Sequence, residues 1–160
     1  MLANRDRTIV RPRVGAAGAR PIMLVTFDVP VDPLAAELAV DAAVEAGQPL
    51  VVVNVVEMPI RPMTSSWGQE VVVTEDVDDS LRAPAELAHS LAVPVERIKL
   101  VSPRPVRALL ELVAERETGL LVVGPDRQRM GRWRLRRVER KIYGSAPCLV
   151  WTGADLDVRQ

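Results

Sequence analysis

Residues Leu50-Val51-Val52-Val53-Asn54-Val55-Val56 form a run of aliphatic, mostly β-branched side chains interrupted by one polar residue. Apolar and polar positions do not alternate along it, so an extended chain here offers water no face. Such a run reads as a strand buried on both sides, and sheets of that kind are parallel and covered by helices. Residues 21–27, 119–123 and 148–152 are further short apolar runs, and 95–101 completes a set of five strands. Aromatic residues make up only 3% of the chain, so Val, Leu, Ile and Ala must fill the core. That suits β-branched strands packed under alanine-rich helices.

The segments between the strands carry helical signals. Asp32-Pro33 supplies an N-cap followed by proline at the first helical position, and Gly47 closes the helix. Leu34, Leu38, Ala42 and Glu45 recur along it at helical spacing, with Ala35, Ala39 and Ala46 beside them. A second helix is expected over about 77–92 with Leu81, Leu87 and Leu91 inward, although it contains Pro84. Pro103 and Pro105 open a third, with Val106, Leu109, Leu110 and Val113 on one side. A fourth carries Leu135, Val138 and Ile142 on one face. Strand and helix therefore alternate, which predicts a single-domain three-layer α/β sandwich with a parallel sheet between helices. Residues 1–20 read as a flexible basic tail, 21–153 as the domain and 154–160 as a short C-terminal tail. The pattern is lost between Glu57 and Glu75, where Val71-Val72-Val73 suggests a short extended piece.

Several function classes are excluded. No apolar run approaches the roughly 20 residues of a membrane span. The first residues lack the apolar stretch of a secretory signal, so a cytoplasmic location is expected. One histidine, His89, and one cysteine, Cys148, permit neither a histidine-cluster metal site nor an internal disulfide. No nucleophile–base–acid arrangement emerges either. Net charge is zero but unevenly spread: residues 1–20 carry +4 and residues 127–141 carry +7. In the latter segment Arg132, Arg136 and Arg140 recur every four residues, with Arg129 just before, while Arg134, Arg137 and Lys141 form a neighbouring stripe. Like charges so spaced destabilise a helix unless something compensates. Either Glu111, Glu115 and Glu117 neutralise them, or an anionic partner does: polyphosphate, a nucleotide, nucleic acid or an acidic protein.

Five pieces taken together resemble the universal stress protein family over roughly residues 21–152. They are the first strand ending at Asp28, Asn54-Val55-Val56, Pro105 followed by Leu109, Leu120-Leu121-Val122-Val123-Gly124, and Ala146-Pro147-Cys148. The resemblance implies five parallel strands in the order 3-2-1-4-5, four helices, and a homodimer joined through the fifth strand, Cys148 to Thr152. In nucleotide-binding members the loop after the fourth strand follows Gly-x2-Gly-x9-Gly-(Ser/Thr), and bare backbone amides meet the phosphates. Here Gly124 fills the first position and Arg127 the second. Counting forward from Gly124 brings the closing pair to Arg137-Val138, and counting back from Ala146-Pro147 brings it to Arg136-Arg137. Neither Gly131 nor Gly144-Ser145 restores the pattern.

The candidate site, inferred from this resemblance as a vestigial nucleotide site, therefore comprises Asp28, Val55, Gly124, Arg127, Gly131, Arg136 and Arg137. Asp28 matches the aspartate that contacts adenine in binding members, or else caps the strand–helix junction. Gly124 satisfies either a phosphate or a tight turn. Trp133 either packs at the start of its helix or stacks on a base or an arginine. The reading that follows is a homodimeric binding or regulatory module in the stress response, with no firm cofactor and no sustained catalysis. Two alternatives stand beside it: an ATP-binding member with weak hydrolysis, and a polyanion or nucleic-acid binder acting through the basic helix 127–141.

Overall fold

The computed structural model describes residues 5–6, 18–58 and 75–153 of the 160-residue chain. In chain order the strands are β1 (Arg5–Asp6), β2 (Ile22–Thr26), β3 (Leu50–Glu57), β4 (Val95–Ser102), β5 (Leu120–Val123) and β6 (Leu149–Thr152). The helices are α1 (Pro33–Ala46), α2 (Glu75–Ser90), α3 (Pro105–Glu115), the single turn α4 (Arg127–Met130) and α5 (Arg132–Ser145). The sheet runs β1-β4-β3-β2-β5-β6. All its pairings from β4 to β6 are parallel, so the five expected strands stand in the order 3-2-1-4-5. Register is continuous through the centre: Leu24 lies beside both Val52 and Val122, and Val25 beside both Val53 and Val123.

Alternate side chains of these doubly buried strands feed two cores. Leu24, Val52 and Val122 join α1 and α2 on one face, while Val25, Val53 and Val123 join α3 and α5 on the other. The helices turn different surfaces inward from those that leucine spacing suggests. In α1 the buried residues are Ala35, Ala39, Val40 and Ala43, and Leu34 is exposed. Alanine lets the helix axis approach the sheet closely, and leucine at the same positions would hold it off. In α2 the inward residues are Val77, Leu81, Pro84, Ala85 and Ala88, whereas Leu87 and Leu91 are about half exposed. The buried set recurs three and four residues apart, and Leu87 falls off that stripe.

The caps expected from sequence form. The Asp32 carboxylate accepts the Leu34 N–H at 2.8 Å. Gly47 adopts φ 61°, a left-handed conformation that closes α1 with Gln48 N–H donating to the Ala43 carbonyl at 3.0 Å. Arg116, just after α3, makes a two-pronged ion pair with Glu96 of β4, tying the helix end to the sheet.

One difference concerns the N-terminal tail. Arg5–Asp6 pair antiparallel with Leu100 and Lys99, adding a sixth, two-residue strand to the edge that β4 would otherwise leave open. The rest of the tail up to residue 17, the Val71–Val73 segment and the C-terminal tail from residue 154 lie outside the described residues.

Candidate functional site

In a wound sheet ligands bind beyond the carboxyl ends of the strands, and here that edge is built by Phe27-Asp28, Glu57, Pro103-Arg104 and Gly124. Asp28 has φ 57° and directs its backbone N–H to Asn54 Oδ1 at 2.9 Å, so the end of β2 is latched to β3. Asp28 does not cap α1; Asp32 does. Partial burial pushes the Asp28 carboxyl above its usual range, opposed by the charges of Lys99 and Arg134.

Gly124 is a packing glycine. A Cβ built on it would lie 2.5 Å from Ala35 Cβ and 3.1 Å from Leu24 Cδ1, so β5 and α1 meet at a distance only glycine allows. The chain beyond it is stitched shut. Gly124 N–H donates to Val25 O at 2.9 Å, Asp126 N–H to Pro30 O at 2.8 Å, and Asp32 N–H to Gly124 O at 2.8 Å. The Asp126 carboxylate then accepts the Gln128 and Arg129 amides at 2.9 and 3.4 Å. The amides of Gly124, Asp126, Gln128 and Arg129 are thereby taken by the chain's own acceptors. The remaining crevice, between Asp32, Gly124, Arg127, Glu139 and Trp151, measures only about 10 Å³. The Arg127 side chain helps fill it and reaches Gly153.

Among the described residues a larger opening lies elsewhere. A cleft of about 780 Å³ runs between α3 and α5 from the ends of β2 and β3. Phe27, Val106, Leu110 and Val138 give it apolar walls. Arg104, Arg107, Arg134, Arg137 and Lys141 line it against Glu57 and Glu111. Glu111 is engaged by Arg107 at 3.2 Å, so the cleft keeps an excess of positive charge.

The expected site residues are thus divided. Arg137 lines the cleft and Asp28 follows Phe27 at its head. Val55 is fully buried in the core and offers a ligand no side chain. Arg136 is exposed on the outer side of α5. Both Arg136-Arg137 and Arg137-Val138 lie inside α5, because the helix begins earlier, at Arg132. Gly131 is the residue that stands at that helix start, with φ 84° and no side-chain cap. Spacing counted from either end passed over it, since the one-turn α4 shortens the connection. Trp133 does not pack at the helix start: it is 84% exposed. Sequence reasoning missed Arg104, Arg107 and Lys141 as cleft residues, although Pro103-Arg104-Pro105 at a strand's carboxyl end was an available signal. His89 is exposed on α2. Cys148 is half-buried, and burial pushes its thiol up, away from reactivity.

The model of the universal stress protein family matches residues 18–152. The chain belongs to that family. Among solved structures, a universal stress protein from Archaeoglobus fulgidus is similar with a TM-score of 0.59 at 16% identity, over 83% of this chain and 92% of that one. A structure of the A. fulgidus protein in complex with dAMP gives 0.58 at 17% identity, over 83% and 96% of the two chains. A universal stress protein in complex with cAMP gives 0.55 at 17% identity, over 85% and 97%. No curated protein sequence matches the chain. Among the described residues, no helix is long and apolar enough to cross a membrane.

Proposed function

We propose that this universal stress protein acts as a homodimeric binding or regulatory module that does not hold ATP in the conventional way. The observation that carries this reading is the sealed loop after β5. The Asp126 carboxylate takes two amides of α4, Arg127 helps fill the crevice, and Gly124 is committed to contact with Ala35. A triphosphate entering there would have to break these hydrogen bonds and displace a paired carboxylate. Family membership supports a role in the stress response, and the composition supports a cytoplasmic location.

The second reading, an adenine-nucleotide-binding member, is favoured by the basic cleft, whose Arg134 acts on the charge of Asp28, and by the dAMP and cAMP named for similar structures. Nucleotide held in this cleft would rest on guanidinium side chains rather than backbone amides. Its affinity would fall steeply with salt and depend little on the base. Titration calorimetry with ATP and Mg²⁺ near physiological salt separates the two. The expected result is weak or absent heat of binding. Micromolar, adenine-selective binding that persists in Arg137→Ala and disappears in Asp28→Ala would overturn the proposal.

A further inference from the structure

The solvent face of α5 has a composition that the core does not explain and the cleft explains only at Arg137. Leu135, Val138 and Ile142 form the buried stripe. Directly opposite stand Trp133, Arg136, Arg137 and Arg140, related by three- and four-residue spacings and all exposed. An indole 84% open to water sits one helical turn from Arg136 and Arg137 and two turns from Arg140. Asp76 pairs with Arg129, just ahead of α5, at 3.0 Å, and Glu111 pairs with Arg107 of α3 at 3.2 Å. Arg132 extends the charge at one end, and Arg137 joins the face to the basic cleft.

We infer that this face binds single-stranded nucleic acid, with an unpaired base stacked on Trp133 and the flanking phosphates held by Arg136, Arg137 and Arg140. The reading does not depend on the closed loop. Charge complementarity selects a polyanion, and the indole selects among polyanions. Inorganic polyphosphate gives Trp133 nothing to stack on, and a duplex hides the faces of its bases. An anionic membrane is disfavoured because α5 spends its apolar stripe on the core and presents one aromatic residue outward.

The test is fluorescence anisotropy of a short fluorescein-labelled oligothymidylate titrated with the full chain, at low salt and again near 0.15 M. Binding is expected and should weaken steeply with salt. Trp133→Ala should lower affinity about tenfold, and Trp133→Phe should retain most of it. Arg136→Gln with Arg140→Gln should reduce the slope of log affinity against log salt by about 1.4. These side chains are exposed, so thermal melting of each variant should match the parent and exclude misfolding. Unchanged affinity in Trp133→Ala would overturn the inference, as would equally tight binding of a duplex of the same length. So would binding to phosphatidylserine vesicles without binding to the oligonucleotide. A Trp133→Ala variant that changes molar mass in light scattering, in a protein that ignores the oligonucleotide, would assign the face to a second copy and also defeat it. Failure here leaves the ATP calorimetry untouched, so the two proposals stand or fall separately.

Discussion

Gly124 and Asp28 occupy equivalent places, each just beyond a central strand, yet they are constrained by different physics. At Gly124 the constraint is volume. Gly124→Ala would drive its methyl into Ala35 and force β5 and α1 apart, costing about 1–3 kcal/mol in urea denaturation. Adding Ala35→Gly should recover a large part of that loss, because it removes the atom the new methyl meets. Strictly additive losses in this double-mutant cycle would exclude direct contact as the cause. At Asp28 the constraint is solvation. Its folded-state carboxyl lies above the ordinary 3.8, so the folded protein holds this proton more tightly than the unfolded chain does. The contribution to stability is therefore full below 3.8 and is lost as pH rises through the folded value. Replacing Asp28 with Asn should remove that decline. The variant's advantage over the parent in denaturation should grow between acid and neutral pH. Growth in the opposite direction would mean that Lys99 and Arg134 outweigh burial.

At the scale of elements, the short α4 decides the character of the loop. Its hydrogen bonds begin at Asp126, which caps the Gln128 and Arg129 amides. Asp126→Ala should cost about 1 kcal/mol and fall locally. Amide exchange should accelerate over 127–130 while the strands stay protected. Equal acceleration throughout the sheet would show that the turn is integral to global stability. The helices also explain where the sequence was legible. Proline at the start and glycine at the end act through local backbone geometry, so Asp32-Pro33 and Gly47 marked α1 correctly. Which face is buried depends on how near the helix lies to the sheet. In α1 that proximity favoured Ala35, Ala39 and Ala43 over Leu34, a preference that hydropathy spacing ranks the other way.

For the whole molecule, β6 forms one edge of the sheet. β6 pairs with β5 on one side, and Leu149 on it is 75% exposed, with Tyr143 nearby half-exposed. Pairing with a two-fold mate would cover an apolar edge that otherwise invites indiscriminate association. Light scattering at micromolar concentration should find a dimer. Leu149→Arg, which places a charge in that contact without touching the core, should shift it to monomer with unchanged circular dichroism. A monomeric parent protein would refute the arrangement.

The sequence alone determined the five parallel strands and the principal caps of α1, because each is written in neighbouring residues: aliphatic runs such as Val51–Val53, Asp32-Pro33, Gly47; the antiparallel pairing of Arg5–Asp6 it did not show. It also identified Gly124 and the basic segment as the places to examine. Whether Gly124 faces a phosphate or Ala35 is a matter of separation between β5 and α1, elements 89 positions apart at those two residues. Likewise, Arg104 and Arg107 meet Arg134, Arg137 and Lys141 only because α3 and α5 lie side by side on one face of the sheet. Local chemistry fixes the elements, and their mutual distances, which no single segment encodes, decide which loop is open and which is filled.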